Sequence, residues 1–168
     1  MNSMRSAIAV MLGTALAALA GAAPSALAEE RTCRGAIGAR TVDNLRVPQG
    51  ARCTLRRTRV QGTVKVERGA RLNAIRIRVK GNVQGEGAAA VYVRSSRIDG
   101  SIQVVQGRRG RIVRNTVNSD VQFFENRGAI RITANRIDGN LQCKENRRRP
   151  RGARNVVEGN KEDQCARL

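Results

Sequence analysis

The sequence has 168 residues, a formal net charge of +19 and no histidine. Aromatic side chains make up only 2% of it, which argues against an ordinary sandwich or helical bundle, because such cores depend on aromatic residues. The high positive charge opposes compaction through self-repulsion and attracts anionic partners.

Residues 1–28 have the pattern of a secretory signal peptide. Arg5 supplies a positive charge, an apolar run begins at Ala7, and an Ala-Leu-Ala cleavage site ends at Ala28. The apolar run is shorter than the roughly 20 residues that a membrane-spanning helix needs. We therefore expect a secreted or periplasmic mature chain, residues 29–168, with no transmembrane span.

An internal repeat of 18 to 20 residues follows. Its first marker is a column of apolar residues: Val42, Val60, Val79, Ile98, Val117, Ile137 and Val157. A small turn residue stands two positions after each of them: Asn44, Gly62, Gly81, Gly100, Ser119, Gly139 and Gly159. Five of these seven residues are glycine, which predicts a turn with positive φ.

Two predicted strands occupy the rest of each repeat. The inward positions of the first strand are Leu45/Val47, Val64/Val66, Val83/Gly85, Ile102/Val104, Val121/Phe123 and Leu141/Cys143. Those of the second are Cys53/Leu55, Leu72/Ala74, Val91/Val93, Ile112 and Ile130/Ile132. Period-two alternation of this kind indicates strands with one buried face. Between the two strands, the column Gly50, Gly69, Gly107, Asn126 and Asn146 predicts a second turn in the left-handed region.

These columns predict an all-β, single-domain parallel β-helix (β-solenoid) of about seven coils of 18–20 residues. Each coil would stack on the previous one at about 4.8 Å, which places equivalent side chains above one another. A sandwich of hairpins gives no reason for such columns, and the usual crossover rule favours a right-handed helix. We expect an N-terminal cap at 29–41, regular coils at 42–146, and a basic loop with a C-terminal cap at 147–168.

The four cysteines predict two disulfides, because an even number in an exported chain is typical of disulfide bonding. Cys33 and Cys53 are 20 residues apart, and Cys143 and Cys165 are 22 apart. Each spacing is about one coil, so we predict the pairs Cys33–Cys53 and Cys143–Cys165. A zinc site is not indicated, because the chain has no closely spaced cysteine pair and no histidine. We expect no metal and no cofactor. With both ends capped, we expect a monomer.

The stretches VQGTVKVERGARL and VKGNVQGEGAAAV carry a resemblance to known families. Over residues 42–146 the chain resembles the right-handed parallel β-helix proteins of bacteria and, more weakly, the bactofilins. The first resemblance implies the same solenoid architecture. The second implies a structural scaffold that polymerises end to end and needs no ligand.

Polar columns remain once the core is assigned. Gln84, Gln103, Gln122 and Gln142 are predicted to form an outward ladder of amides. Asn115, Asn135 and Asn155 recur at a turn, where asparagine side chains bond backbone groups. Both columns are interpreted as structural.

Arginines give the candidate binding site, which we call the arginine stripe: Arg57, Arg59, Arg76, Arg78, Arg97, Arg114 and Arg136. Stacked like charges destabilise a sheet, whereas phosphate, sulfate or uronate groups could bridge the guanidinium groups. A solvated arginine-rich surface remains the alternative. The expected partners are acidic polysaccharide, lipopolysaccharide or another anionic envelope polymer. Specific nucleic-acid binding is not expected, because single-strand binders stack bases on aromatic residues.

An enzyme is the remaining alternative, since parallel β-helices include polysaccharide lyases and hydrolases. Asp99, Asp138 and Glu158 share one column, with Asp43 at its far end. The coils show no long loop that would wall a cleft, and active sites need concavity. We therefore expect a non-catalytic secreted solenoid that binds or decorates anionic polymers, with a ligand-free scaffold as the second hypothesis and a carbohydrate-active enzyme as the third.

Overall fold

The computed structural model describes residues 29–168, so the predicted signal peptide lies outside the described residues. The chain forms three parallel sheets, with strands numbered along the chain. The first sheet contains β1 (Glu30–Thr32), β4 (Asn44–Val47), β7 (Val64–Val66), β10 (Val83–Glu86), β13 (Ile102–Val105), β16 (Val121–Phe124), β19 (Leu141–Lys144) and β22 (Lys161–Asp163).

The other two sheets have seven strands each. The second sheet contains β2 (Ala36–Ile37), β5 (Arg52–Arg56), β8 (Arg71–Ile75), β11 (Ala90–Arg94), β14 (Gly110–Val113), β17 (Ile130–Thr133) and β20 (Arg151–Ala153). The third contains β3 (Thr41–Val42), β6 (Arg59–Val60), β9 (Arg78–Val79), β12 (Arg97–Ile98), β15 (Thr116–Val117), β18 (Arg136–Ile137) and β21 (Val156–Val157). Residues 29–168 contain no helix, and hence none long and apolar enough to cross a membrane.

The predicted β-solenoid of about seven coils is confirmed. Each strand pairs in parallel with the strand one coil later, so Ile98 lies beside Val117, and Val117 beside Ile137. All three side chains are fully buried, as are the predicted inward residues of the first sheet, such as Val104 and Phe123. The handedness of the solenoid stays a prediction.

The first turn column has a different cause from the one predicted. Gly62, Gly81, Gly100, Gly139 and Gly159 do not have positive φ, and the expectation of a left-handed turn there is wrong. Consecutive coils instead approach too closely for a side chain. A Cβ on Gly81 would lie 2.7 Å from the carbonyl oxygen of Gly62, and one on Gly159 would lie 2.8 Å from that of Gly139.

The prediction of left-handed residues in the second turn column is right for its first members only. Gly50 and Gly69 have positive φ, whereas Gly107, Asn126 and Asn146 do not. In the later coils the left-handed residues stand one position earlier, at Gln106, Glu125 and Glu145. Asn126 and Asn146 are buried and bond the neighbouring coils: the Nδ2 of Asn126 donates to Asn146 Oδ1 at 2.9 Å and to the carbonyl oxygen of Val104 at 2.9 Å.

Side-chain ladders hold the coils together, as the glutamine and asparagine columns predict. On the first sheet, hydrogen bonds run from Gln84 to Gln103, then to Gln122, Gln142 and Glu162. At the turn between the second and third sheets, Asn115, Asn135 and Asn155 form a buried ladder that also bonds backbone groups.

The cysteines pair as their spacing predicts. Cys33 joins Cys53 with a Cα–Cα distance of 5.6 Å, and Cys143 joins Cys165 at 5.2 Å. These pairs are compatible with an oxidising extracellular environment. Beyond the last strand, Cys165 and Leu168 pack against the core, with Cys165 fully buried.

Candidate anion-binding groove

An open groove of about 1310 Å³ lies along the outer face of the second sheet. Eight arginines line it, and we call this surface the arginine groove: Arg52, Arg68, Arg71, Arg108, Arg109, Arg127, Arg147 and Arg148. No aspartate or glutamate is among its lining residues. The described residues therefore form a concave and uniformly cationic surface.

Strand alternation sets the floor of the groove. Cys53 and Leu55 of β5 point into the core, so the residues between and beside them face outward. Arg52 pairs with Arg71 in the next coil, and Thr54 pairs with Asn73. The column of Thr54 and Asn73 continues with Tyr92 in the next coil and Arg111 in the one after.

The wall of the groove comes from the connections between the first and second sheets. Those at 48–51 and 67–70 have four residues each, and the later ones lengthen from three residues at 87–89 to four at 106–109, five at 125–129 and six at 145–150. The longer connections contribute most of the arginines that face the groove. No long loop is needed for this concavity, because the short connections line it together with the second sheet.

The charges of the groove arginines are not neutralised by neighbouring carboxylates. Within residues 29–168 the ion pairs involve only Arg46, Arg136 and Lys144 as cations. Because like charges on adjacent coils repel, the groove favours a ligand that brings negative charge. Guanidinium groups suit this role, since they bind carboxylate, sulfate and phosphate through two parallel hydrogen bonds.

The predicted arginine stripe lies elsewhere, on the third sheet and the turn before it. Arg59, Arg78 and Arg97 pair in one column, but Thr116 interrupts it before Arg136. Three other members, Arg57, Arg76 and Arg114, occupy positive-φ positions of the turn. All seven stripe residues are exposed, and none lines the arginine groove.

Acidic residues compensate the C-terminal part of the stripe. Arg136 forms ion pairs with Asp138, at 3.4 Å, and with Glu158. Asp99 receives a long hydrogen bond of 3.5 Å from the Asn118 amide. The carboxylates considered for catalysis, Asp43, Asp99, Asp138 and Glu158, are all exposed, and none lines the arginine groove. Residues 29–168 contain no cluster of His, Cys, Asp and Glu able to hold a metal ion.

One carboxylate has a shifted pKa, and it lies near the N-terminal end of the first sheet. The Arg46 guanidinium, by its hydrogen bond, holds the pKa of Glu67 below its ordinary value, and the backbone N–H of Gln49 acts in the same direction. Arg46 also pairs with Glu30 at 3.0 Å. This network is structural and separate from the groove.

Sequence reasoning missed the arginine groove although part of its signal was present. Arg52 and Arg71 follow Gly-Ala in successive repeats and stand at outward positions of the second strand. Those positions alternate with assigned core residues and could have been read as a column. A further periodic signal was overlooked: directly after Gly107, Asn126 and Asn146 come Arg108, Arg127 and Arg147, 19 and 20 residues apart. Their spacing alone did not show that these connections line a concave surface together with the second sheet.

The fold defines this chain as a parallel β-solenoid with one cationic groove among its described residues. Comparisons with protein families, curated proteins and solved structures find no match. Its function is therefore argued from its own surface.

Proposed function

We propose that this chain is a secreted or periplasmic, non-catalytic β-solenoid that binds anionic envelope or extracellular polymers through the arginine groove. The observation that carries the proposal is the concentration of eight arginines, without a carboxylate, in one concave surface. A polymer with repeated carboxylate, sulfate or phosphate groups would bridge arginines of adjacent coils and relieve their repulsion.

The fold suits a polymeric ligand better than a small one. Strands of successive coils lie about 4.8 Å apart, so outward arginines recur at short, regular intervals along the solenoid axis. The groove includes residues from Arg52 in an early coil to Arg148 in a late one. Its length and open shape favour a chain with many anionic groups.

The disulfides and the predicted signal peptide support action outside the cytoplasm. Disulfides persist in oxidising compartments, and the anionic polymers met there include acidic polysaccharides and lipopolysaccharide. The non-catalytic part of the proposal is supported by the lining of the groove, which lacks the paired carboxylates of glycosidases. We propose that the protein acts as a monomer.

A charge-matched comparison tests the binding surface. The groove variant Arg52→Gln/Arg71→Gln/Arg109→Gln and the stripe variant Arg59→Gln/Arg78→Gln/Arg97→Gln each remove three positive charges. We expect the groove variant to elute from immobilised heparin at clearly lower salt than the stripe variant, although their net charges are equal. Equal elution of the two variants would reject a localised groove, and earlier elution of the stripe variant would favour the stripe.

A ligand-free scaffold, as the bactofilin resemblance implies, is the second candidate. The observation that favours it is the continuous ladder from Gln84 to Glu162, which stiffens the first sheet without any ligand. Such a protein would show the same salt dependence for both variants. A catalytic role, the third candidate, would require release of reducing ends from an acidic polysaccharide and its loss in Asp138→Asn.

A further inference from the structure

We propose that the polymer held in the arginine groove is an anionic polysaccharide and that Tyr92 is the platform on which one of its sugar rings stacks. This inference rests on the proposed function and specifies its ligand. Tyr92 is the only tyrosine of the chain. It lies half-buried on β11 and lines the groove.

The environment of Tyr92 differs from that of the other aromatic residues. Phe123 is fully buried in the core, and Phe124 lies half-buried on the first sheet outside the groove. A half-buried tyrosine combines an apolar ring with a polar tip, as suits a surface that is partly wet. The C–H-rich face of a pyranose ring packs against an aromatic face of this kind.

The register of the second sheet leaves space beside the ring of Tyr92. Arg52 and Arg71 pair in successive coils, but the next member of that column is Ala90. Arg109 follows one coil later, because it precedes Gly110, which pairs with Val91. Arg71 and Arg109 are thus two coils, or about 9.6 Å, apart along the axis.

This spacing suits a sugar chain that carries anionic groups on either side of a stacked ring. The ring would rest at Tyr92, above the small side chain of Ala90, while the flanking carboxylate or sulfate groups would reach Arg71 and Arg109. One cationic column is therefore interrupted at the level of the aromatic residue, and its charges lie one coil to each side.

The neutral residues of the floor favour a ligand with hydroxyl groups. Thr54 and Asn73 precede Tyr92 in the same outward column. Their side-chain oxygens accept hydrogen bonds, and sugar hydroxyls can donate them. Polyphosphate at neutral pH offers acceptors only, so it could pair with the hydroxyl and amide donors of these side chains but not with their oxygens, whereas sugar hydroxyls could pair with both.

A single aromatic residue argues against single-stranded nucleic acid. Proteins of that class stack successive bases on several aromatic side chains along a cationic groove. Among the described lining residues, Tyr92 is the sole aromatic one. The groove therefore fits a ligand held mainly by charge and hydroxyl groups, with one stacked ring.

The test measures affinity by titration calorimetry at one fixed ionic strength, with heparin, polygalacturonate, polyphosphate and oligothymidylate as probes. We expect Tyr92→Ala to weaken binding of at least one of the two polysaccharides about tenfold, the loss typical of one stacking contact. Tyr92→Phe should bind within about twofold of the unchanged protein, because it keeps the ring. Phe124→Ala is the matched aromatic control outside the groove and should have no effect on binding. Thermal unfolding of each variant confirms that it folds.

Three results would overturn the inference. They are unchanged polysaccharide binding in Tyr92→Ala, an equal loss for polyphosphate, or a larger loss for oligothymidylate, which would indicate a single-strand binder. The groove variant separates this failure from failure of the proposed function. If the groove variant binds both polysaccharide and polyphosphate more weakly while Tyr92→Ala binds both as before, the proposed function stands. The stacking role of Tyr92 is then rejected.

Discussion

Phe123 on the first sheet fills the space that Gly110 leaves on the second. A Cβ placed on Gly110 would lie 2.8 Å from Cζ of the Phe123 ring, and Phe123 is fully buried. The same relation occurs earlier in the chain with the sheets exchanged, where a Cβ on Gly85 would lie 2.9 Å from Val91 Cγ2. At these two places a glycine makes room for a core side chain of the other sheet.

This pairing predicts an energetic coupling between the two residues. Gly110→Ala should lower the free energy of unfolding by about 1–3 kcal/mol, because the added methyl group overpacks the core against Phe123. In a Phe123→Leu background the same change should cost clearly less. Urea denaturation of the unchanged protein, the two single variants and the double variant gives the coupling energy between the two positions. Strictly additive effects would show that the two side chains do not compete for one space.

The buried asparagine ladder predicts a second effect on stability. Asn135 accepts hydrogen bonds from the backbone N–H and Nδ2 of Asn115, both at 3.0 Å, and its own Nδ2 donates to the Ile112 carbonyl oxygen. Asn135→Ala would leave buried groups without partners and should cost roughly 2–3 kcal/mol in unfolding free energy. Exposed Asn118, replaced by alanine, is the control and should change it by less than about 0.5 kcal/mol. Similar losses in both variants would contradict a special role for the ladder.

The disulfides predict a loss of stability on reduction. The bond between Cys143 and Cys165 closes a loop with a sequence separation of 22, and its loss should lower the free energy of unfolding by roughly 3 kcal/mol on the chain-entropy account. Calorimetric unfolding of the variant Cys143→Ser/Cys165→Ser, which keeps the Cys33–Cys53 bond, measures the change. Peptide mapping without reductant should recover Cys33 with Cys53 and Cys143 with Cys165. A peptide that joins Cys33 to Cys143 would be incompatible with the observed stacking of coils.

The pKa of Glu67 predicts a pH dependence. Because hydrogen bonding to Arg46 lowers this pKa in the folded chain, the unfolded chain binds the proton more readily. The stabilisation is therefore complete above the ordinary glutamate value of about 4.3 and is lost as the pH falls through the lower folded value.

Glu67→Gln removes that contribution and provides the measurement. Its unfolding free energy should lie below that of the unchanged protein at neutral pH, and the two should converge as the solution is acidified. Added salt should reduce the difference, since the Arg46 and Glu67 side chains are 40% and 38% exposed. A difference that grew toward low pH would mean that the pKa of Glu67 is raised rather than lowered.

The repeat in the sequence by itself determined the fold and the core. In a solenoid the neighbours of a residue in space stand one period away in sequence, so the spacing of Ile98, Val117 and Ile137 already specified that they stack. The same reasoning paired Cys33 with Cys53 from their separation alone. It also placed the glutamine amides in one ladder, because strand alternation sends them all outward.

Only the tertiary structure decided the roles of the turns and of the outer surface. Glycine is required at position 81 because a Cβ there would lie too close to the backbone of Gly62, and not because φ is positive there. The distance between these two backbones depends on how adjacent coils pack. The arginines of connections such as 106–109 and 145–150 line one concave surface with the second sheet, and their recurrence in the sequence does not reveal that concavity. Neutralisation of Arg136 by Asp138 and Glu158 likewise depends on side-chain positions on neighbouring coils. The core follows the period because every coil repeats it, whereas surface charge depends on the turns, where the coils differ.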